Sequence, residues 1–210
     1  LDAYIYGNFV NLTQGATYYA FNRNKHTGKY NYNPRLPLHC GFDFNNFPLS
    51  TVVCQQQPNG EIQVIKEIVL SHQGDGDLPT QRMCNEVKSI FPNNLYYAYP
   101  DATGSSKHSS AMYSDISIIR KSGFNVKVAH INPRVINRVN SVNNQLSKNN
   151  IKIDKGCKAL IKDFEQVVNK ENTRDIDKSN PNLTHMSDAF GYLCNWLHPI
   201  NKPVIGVQDR

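Results

Sequence analysis

No two cysteines stand at Cys-x-x-Cys spacing, and the five present (Cys40, Cys54, Cys84, Cys157, Cys194) are odd in number and widely scattered. That argues against a zinc site and against a disulfide framework, and points to buried, inert thiols in a reducing compartment. In such a compartment the Asn-Leu-Thr matches at Asn11 and Asn182 carry no meaning as glycosylation sites. No apolar run approaches the roughly 20 residues that span a bilayer, and the N-terminus lacks a signal-peptide pattern, so no membrane partner is expected. Gly-x-x-x-x-Gly-Lys-Ser/Thr is absent too. Its nearest imitation, Gly104-Ser-Ser-Lys107, lacks the first glycine and the spacing, which excludes a P-loop ATPase. Nothing looks like a recognition helix or a zinc finger. Acids are scarce in one stretch: from Arg120 to Lys162 ten Lys/Arg meet a single acid, Asp154, in a chain of formal net charge +6. Such a segment suits a polyanionic partner, although a solvated cationic face has the same composition.

What is there suits one large domain, or a domain with an appendage, in 210 residues that are 39% hydrophobic. A mean hydropathy of −0.54 fits a soluble protein with a sizeable core. Starting at Leu1 without a Met, the chain reads as a fragment of something longer. Residues 1–37 are rich in Tyr and Asn and poor in aliphatics, which suggests short strands or a connecting arm ended by Pro34 and Pro37. Three strands are expected next, Leu38–Phe44, Ser50–Gln56 and Glu61–Leu70. Pro58-Asn59-Gly60 joins the last two as a hairpin, because Asn-Gly tolerates positive φ. Alternation follows. Thr80 caps a helix to Ile90, Leu95–Tyr99 is a strand, and Ser114 caps a short helix to Lys121. Phe124–His130 is another strand and 134–148 an amphipathic helix with Val135, Val139, Val142 and Leu146 on one face. Leu160, Ile161, Phe164, Val167 and Val168 make a second such face. The polar loop 171–182 leads to a last helix over Thr184–Leu197, capped by Thr184 or Asn182. The order predicts an α/β fold: a mixed sheet, antiparallel meander plus parallel strands, flanked by helices.

Three aspartates gain meaning from their places. Asp43 and Asp101 follow strand-like runs, and Asp188 lies in the last helix, sharing a face with His185 and Tyr192. An unpaired carboxylate inside an apolar strand is costly, so Asp43 needs a partner. Carboxylates at element ends can converge on Mg²⁺ or Mn²⁺, and two such ions about 4 Å apart cut phosphodiesters. Asp43 is then the bridging ligand, Asp101 and Asp188 each hold one side, and His185 binds metal or orients water. Each residue also has a plainer reading. Asp43 is a hydrogen-bonded structural acid, Asp101 starts a turn with Thr103 and Gly104, Asp188 favours a helix dipole, and His185 is structural. Asp77 and Asp115 are accessory acids or turn and cap residues, and Glu67 points into the site or to solvent.

The stretches Gly41-Phe-Asp-Phe-Asn-Asn-Phe-Pro, Tyr99-Pro-Asp-Ala-Thr-Gly, Asn132-Pro-Arg-Val-Ile-Asn-Arg-Val-Asn-Ser-Val-Asn, Cys157-Lys-Ala-Leu-Ile-Lys-Asp-Phe-Glu and His185-Met-Ser-Asp-Ala-Phe-Gly-Tyr carry a resemblance. In order and spacing, over roughly residues 38–200, they resemble the C-terminal nuclease domain of the terminase large subunit of tailed bacteriophages. Gly7-Asn-Phe-Val-Asn-Leu is similar to the segment entering that domain. The resemblance implies an RNase H-like fold with the first and fourth strands adjacent, and a division into an arm, 1–37, from a missing ATPase domain and a nuclease domain, 38–210. It implies a metal-dependent endonuclease that cuts concatemeric viral double-stranded DNA at the start and end of packaging, in the host cytoplasm. Its metal ligands map onto Asp43, Asp101 and Asp188, with Mg²⁺ or Mn²⁺, two ions, as cofactor. Arg134 and Arg138, four residues apart, suit DNA backbone contact, as does Lys107 in a loop beside Asp101. The partners implied are DNA, the ATPase domain, the small terminase subunit and the portal. Two other functions fit parts of the pattern: an RNase H-like resolvase or integrase, and a DNA-binding or portal-docking domain without catalysis.

Overall fold

A computed structural model of the chain describes residues 15–44, 48–70, 78–105 and 114–200. Seven strands form one mixed sheet among them: β1 (Thr27–Gly28), β2 (Leu38–Asp43), β3 (Leu49–Gln56), β4 (Ile62–Leu70), β5 (Tyr96–Pro100), β6 (Asn125–Val126) and β7 (Ile151–Asp154). Their spatial order is β1-β7-β4-β3-β2-β5-β6. The meander β2–β3–β4 is antiparallel, and β5 lies parallel to β2, which is the adjacency expected of the first and fourth strands. The β3–β4 hairpin turns where Pro58-Asn59-Gly60 predicts, with Gly60 at φ +88 and its N–H donating to Gln57 O. One strand is new, and a short one forms within the arm. Ile151–Asp154 pairs with β4, and Thr27–Gly28 pairs with it in turn. The strand expected over Phe124–His130 shrinks to Asn125–Val126, because only Tyr97 and Ala98 of β5 pair with it.

Side chains alternate across the sheet, so each strand feeds two cores. Leu38, Cys40 and Phe42 of β2 pack with Val53, Met83, Cys84, Val87 and Ile119, beneath helices α2 (Pro79–Ile90) and α3 (Asp115–Lys121). The opposite core collects Val52, Val64 and Tyr99 with three further helices. These are α4 (Val135–Ser147), α5 (Lys158–Gln166) and α6 (His185–Leu197). A single turn, α1 (Arg23–His26), precedes β1. Thr80 is not a cap: Pro79 starts α2, and the Thr80 hydroxyl donates to Asp115 at 2.5 Å, tying α2 to α3. Ser114 does cap α3, accepting from Ser117 N–H. Asp77 lies outside the described residues. The described part of the N-terminal arm is built into the second core, with Tyr18 and Phe21 buried against Phe164 at ring separations of 4.7 and 5.5 Å.

Glu67 points neither into a site nor to solvent. Its carboxylate accepts from Ala159 and Leu160 N–H, both at 2.9 Å, and so caps α5 from the neighbouring sheet. Glu67→Ala is expected to cost about 1–2 kcal/mol, as loss of a helix cap does. Urea unfolding checks this, and an unchanged midpoint would show that the cap contributes nothing.

His39 supplies a second stability prediction. It is buried, its Nδ1 shares a hydrogen bond with the Tyr99 hydroxyl at 2.7 Å, and its ring stacks on Tyr97 and Tyr99. Burial lowers its pKa to about 4. The unfolded chain, near 6.5, takes up this proton first, so the neutral imidazole's contribution is present above about pH 6.5. It is lost as pH falls from 6.5 to 4, a loss of ~3 kcal/mol in all. The chain should therefore unfold at lower urea at pH 4.5 than at pH 7, and His39→Gln should show much less of that difference. An equal difference in the variant would exonerate His39.

Candidate active site

The sheet itself brings two of the acids together. β2 and β5 are last paired at Phe42 and Pro100. Asp43 ends β2, Asp101 follows Pro100 directly, and the Asp101 N–H donates to Phe42 O at 3.3 Å. Asp101 also starts a turn, as its plainer reading holds. Its Oδ1 accepts from Thr103 N–H at 2.8 Å, and its carbonyl accepts from Gly104 N–H. Oδ1 also accepts from the Asn132 carboxamide N–H, whose own oxygen accepts from Ala102 N–H at 2.8 Å. Asn132 is a positioning residue that the sequence pattern did not single out.

The third acid is delivered by α6, which lies directly on β2. A Cβ at Gly41 would stand 2.2 Å from Ala189 O and 2.9 Å from the Ala189 carbonyl carbon. Glycine there lets the helix backbone touch the strand, one residue beyond Asp188 and two residues before Asp43. The N-terminus of α6 is fixed from α5. Thr184 sits at positive φ and offers no side-chain cap. Instead the buried Asp163 carboxylate accepts from Ser187 N–H at 2.9 Å. Burial raises the Asp163 pKa, opposed by its hydrogen bonds from Ser187 and Thr184.

Tyr192, one turn after Asp188, marks the convergence. Burial is the largest cause of its raised pKa, Arg138 opposes it, and Asp101, Asp188 and Asp43 each add to it. One hydroxyl therefore senses all three carboxylates. Cations have been drawn in around them. Asp188, itself buried, has Arg138 Nη1 3.1 Å from one oxygen and Lys178 Nζ 2.8 Å from the other. The Arg138 contact is an ion pair without the alignment of a hydrogen bond. His185 Nδ1 lies 3.4 Å from Asp43 Oδ2, while Nε2 meets Pro181 O at 2.9 Å. Asp43 is the largest cause of the raised His185 pKa, against burial, so the acid favours the imidazolium.

Arg134 and Arg138 do not share a solvent face. Arg134 is exposed at the start of α4, whereas Arg138 is 6% exposed and stacks its guanidinium 4.1 Å over the Tyr192 ring. Gly191 faces Arg138 across the helix pair: a Cβ there would lie 3.4 Å from Arg138 Cβ, in van der Waals contact, so the two helices pack closely where the arginine passes between them. The structure turns Arg138 inward, a partner for Asp188 with no surface left for a phosphate. Lys107 lies outside the described residues.

As the side chains stand, no three His, Cys, Asp or Glu among the described residues are close enough to enclose an ion. The donor set nonetheless fits a hard divalent cation. It consists of carboxylate oxygens, two of them on adjoining strand ends, with every cysteine buried and free. The Arg138, Lys178 and His185 contacts show that this pocket of acids attracts positive charge. Lys178 is half-exposed and can swing to water, whereas Arg138 is packed in place.

No protein-family model matches the sequence, and no curated protein matches it significantly. Solved structures do match. A large terminase from a thermophilic bacteriophage is 19% identical with a TM-score of 0.67, over 86% of this chain and 45% of that one. The P22 large terminase nuclease domain is 13% identical with a TM-score of 0.63, over 85% of this chain and 92% of that domain. The large terminase nuclease of thermophilic phage G20c, with bound magnesium, is 8% identical with a TM-score of 0.59, over 88% and 97%. The chain thus spans about 45% of the length of the first of these, the whole large terminase. These likenesses show the fold: an RNase H-like mixed sheet flanked by helices, as in terminase nuclease domains.

Proposed function

We propose that the chain is a divalent-metal-dependent DNA endonuclease, the cutting part of a large terminase. The observation that carries this reading is the meeting of Asp43 and Asp101 at adjoining parallel strand ends with Asp188 on the helix pressed against Gly41. The magnesium-bound nuclease among the structural neighbours supports it.

Asp43, Asp101 and Asp188 would hold Mg²⁺ or Mn²⁺. Two such ions would supply Lewis-acid activation of water and charge neutralisation at the leaving oxygen. The other residues prepare that site. Asn132 fixes the Asp101 carboxylate, Asp163 fixes the helix start, and Arg138 holds one oxygen of Asp188. Lys178 keeps the second oxygen until it is needed, and His185 stands beside Asp43 as a proton carrier or water-orienting group. Arg134 and the lysines of the basic stretch 120–162 take the DNA backbone, so affinity falls steeply with salt. In the whole protein the reaction is the cutting of concatemeric viral DNA when packaging begins and ends, in the host cytoplasm. An ATPase domain, the small subunit and the portal are its partners.

The ion pairs of Asp188 with Arg138 and Lys178 favour a second reading, in which that acid is structural and the domain only binds. Supercoiled plasmid incubated with the chain in Mg²⁺, Mn²⁺ or EDTA separates the two. Nicking or linearisation in the metals alone is the expected result. A plasmid that stays supercoiled, while salt-sensitive DNA binding persists, supports the binding domain. Preference for a branched or hybrid substrate over plain duplex would instead favour a resolvase or RNase H type.

A further inference from the structure

Beside Asp101 lies a groove of about 100 Å³ that the carboxylates do not line. Its walls are Tyr99, Tyr192, Trp196 and Ile131, with Lys127 and Asn195. Trp196 is 43% exposed and Ile131 76%, so apolar surface faces water here. Tyr99 and Trp196 are tilted on each other with ring centroids 6.4 Å apart. Tyr192 belongs both to this groove and to the acid cluster, which its hydroxyl senses. Pro100 and Asn132, which contact Asp101 by bond and by hydrogen bond, line the groove as well.

We propose that this groove receives an unpaired nucleobase from the DNA strand whose phosphate lies at the three aspartates. The inference rests on the nuclease reading above. A ligand reaching those acids is a polyanion, and Lys127 in the wall with exposed Arg134 next to Pro133 offers it positive charge. The part of that ligand with a flat π-face is its base, and aromatic side chains stack bases without regard to sequence. A paired base is stacked inside its duplex, so the occupant comes from a frayed, nicked or single strand.

Trp196 is the single tryptophan, so its fluorescence reports on the groove alone. The metal-free chain in EDTA is titrated with a single-stranded thymidine oligonucleotide and with a hairpin-closed duplex of equal phosphate count. Binding is followed separately by anisotropy of labelled DNA. The single strand should quench Trp196 and the closed duplex should not. Trp196→Ala and Ile131→Ser should weaken single-strand affinity, the former about tenfold, as loss of one stacked base does. Trp196→Phe should restore most of it, with duplex affinity unchanged throughout. Single-strand binding without quenching, equal quenching by the closed duplex, or unaltered affinity in both Trp196→Ala and Ile131→Ser overturns the proposal. Quenching retained without metal-dependent plasmid cutting removes the nuclease and keeps the groove. Cutting without quenching removes the groove alone.

Discussion

Asp43→Asn and Asp101→Asn should each lower metal-dependent plasmid cutting on the order of 10³-fold while leaving DNA affinity and thermal stability nearly unchanged. The size follows from the several kcal/mol of transition-state stabilisation that a bound divalent cation contributes. An amide keeps the volume and one acceptor oxygen but loses the charge that holds such a cation. Affinity comes from the Lys and Arg side chains that take the DNA backbone, and neither substitution touches one of those, so binding should survive. Asp43 is 2% exposed and pairs with His185, which loses the cause of its raised pKa when the acid goes. Asp101 retains its backbone turn, because the Gly104 N–H bonds its main-chain carbonyl. Full cutting activity in either Asn variant, measured on the same plasmid, would remove the acids from the chemistry.

Gly41→Ala should be the most damaging small change in the sheet. The added methyl would meet the backbone of Ala189 at 2.2 Å, and no side chain can rotate out of its way. Either β2 bends or α6 lifts, at a cost of about 3 kcal/mol, the upper range for forced overpacking. Because α6 carries Asp188 and His185 while β2 carries Asp43, the same shift separates the acids, so cutting should fall well beyond the loss of folded protein. Gly60→Ala is the control. Nothing lies within 4 Å of a Cβ there, and only its φ of +88 is strained, for which about 1 kcal/mol and full activity are expected. A Gly41→Ala chain as stable and as active as the parent would mean that α6 does not rest on β2.

Much of this was legible in the chain. The meander could be read from apolar runs and the Pro58-Asn59-Gly60 turn, and parallel β5 from its alternation with helices. Asp43, Asp101 and Asp188 stood out because each follows or opens an element. Gly41, a glycine inside an apolar strand, is a readable sign of close backbone approach. Other features depend on partners far away in sequence. Glu67 caps a helix more than ninety residues on, and Asp163 caps one that begins on another element. Helical spacing put Arg134 and Arg138 on one side of α4, but it could not reveal that Arg138 is drawn inward onto Asp188 and Tyr192 of α6. Strands as short as Ile151–Asp154 and Thr27–Gly28 carry too little pattern to announce a sheet edge.

The most direct measurement is anomalous diffraction from crystals of the chain soaked in Mn²⁺ at a concentration that supports cutting. Peaks bonded to carboxylate oxygens of Asp43, Asp101 and Asp188, with Lys178 moved away from Asp188, are the expected result. Peaks elsewhere only, with Lys178 still on Asp188, would contradict a metal-centred nuclease and leave Asp43 and Asp188 as structural ion-pair partners and Asp101 as a turn residue.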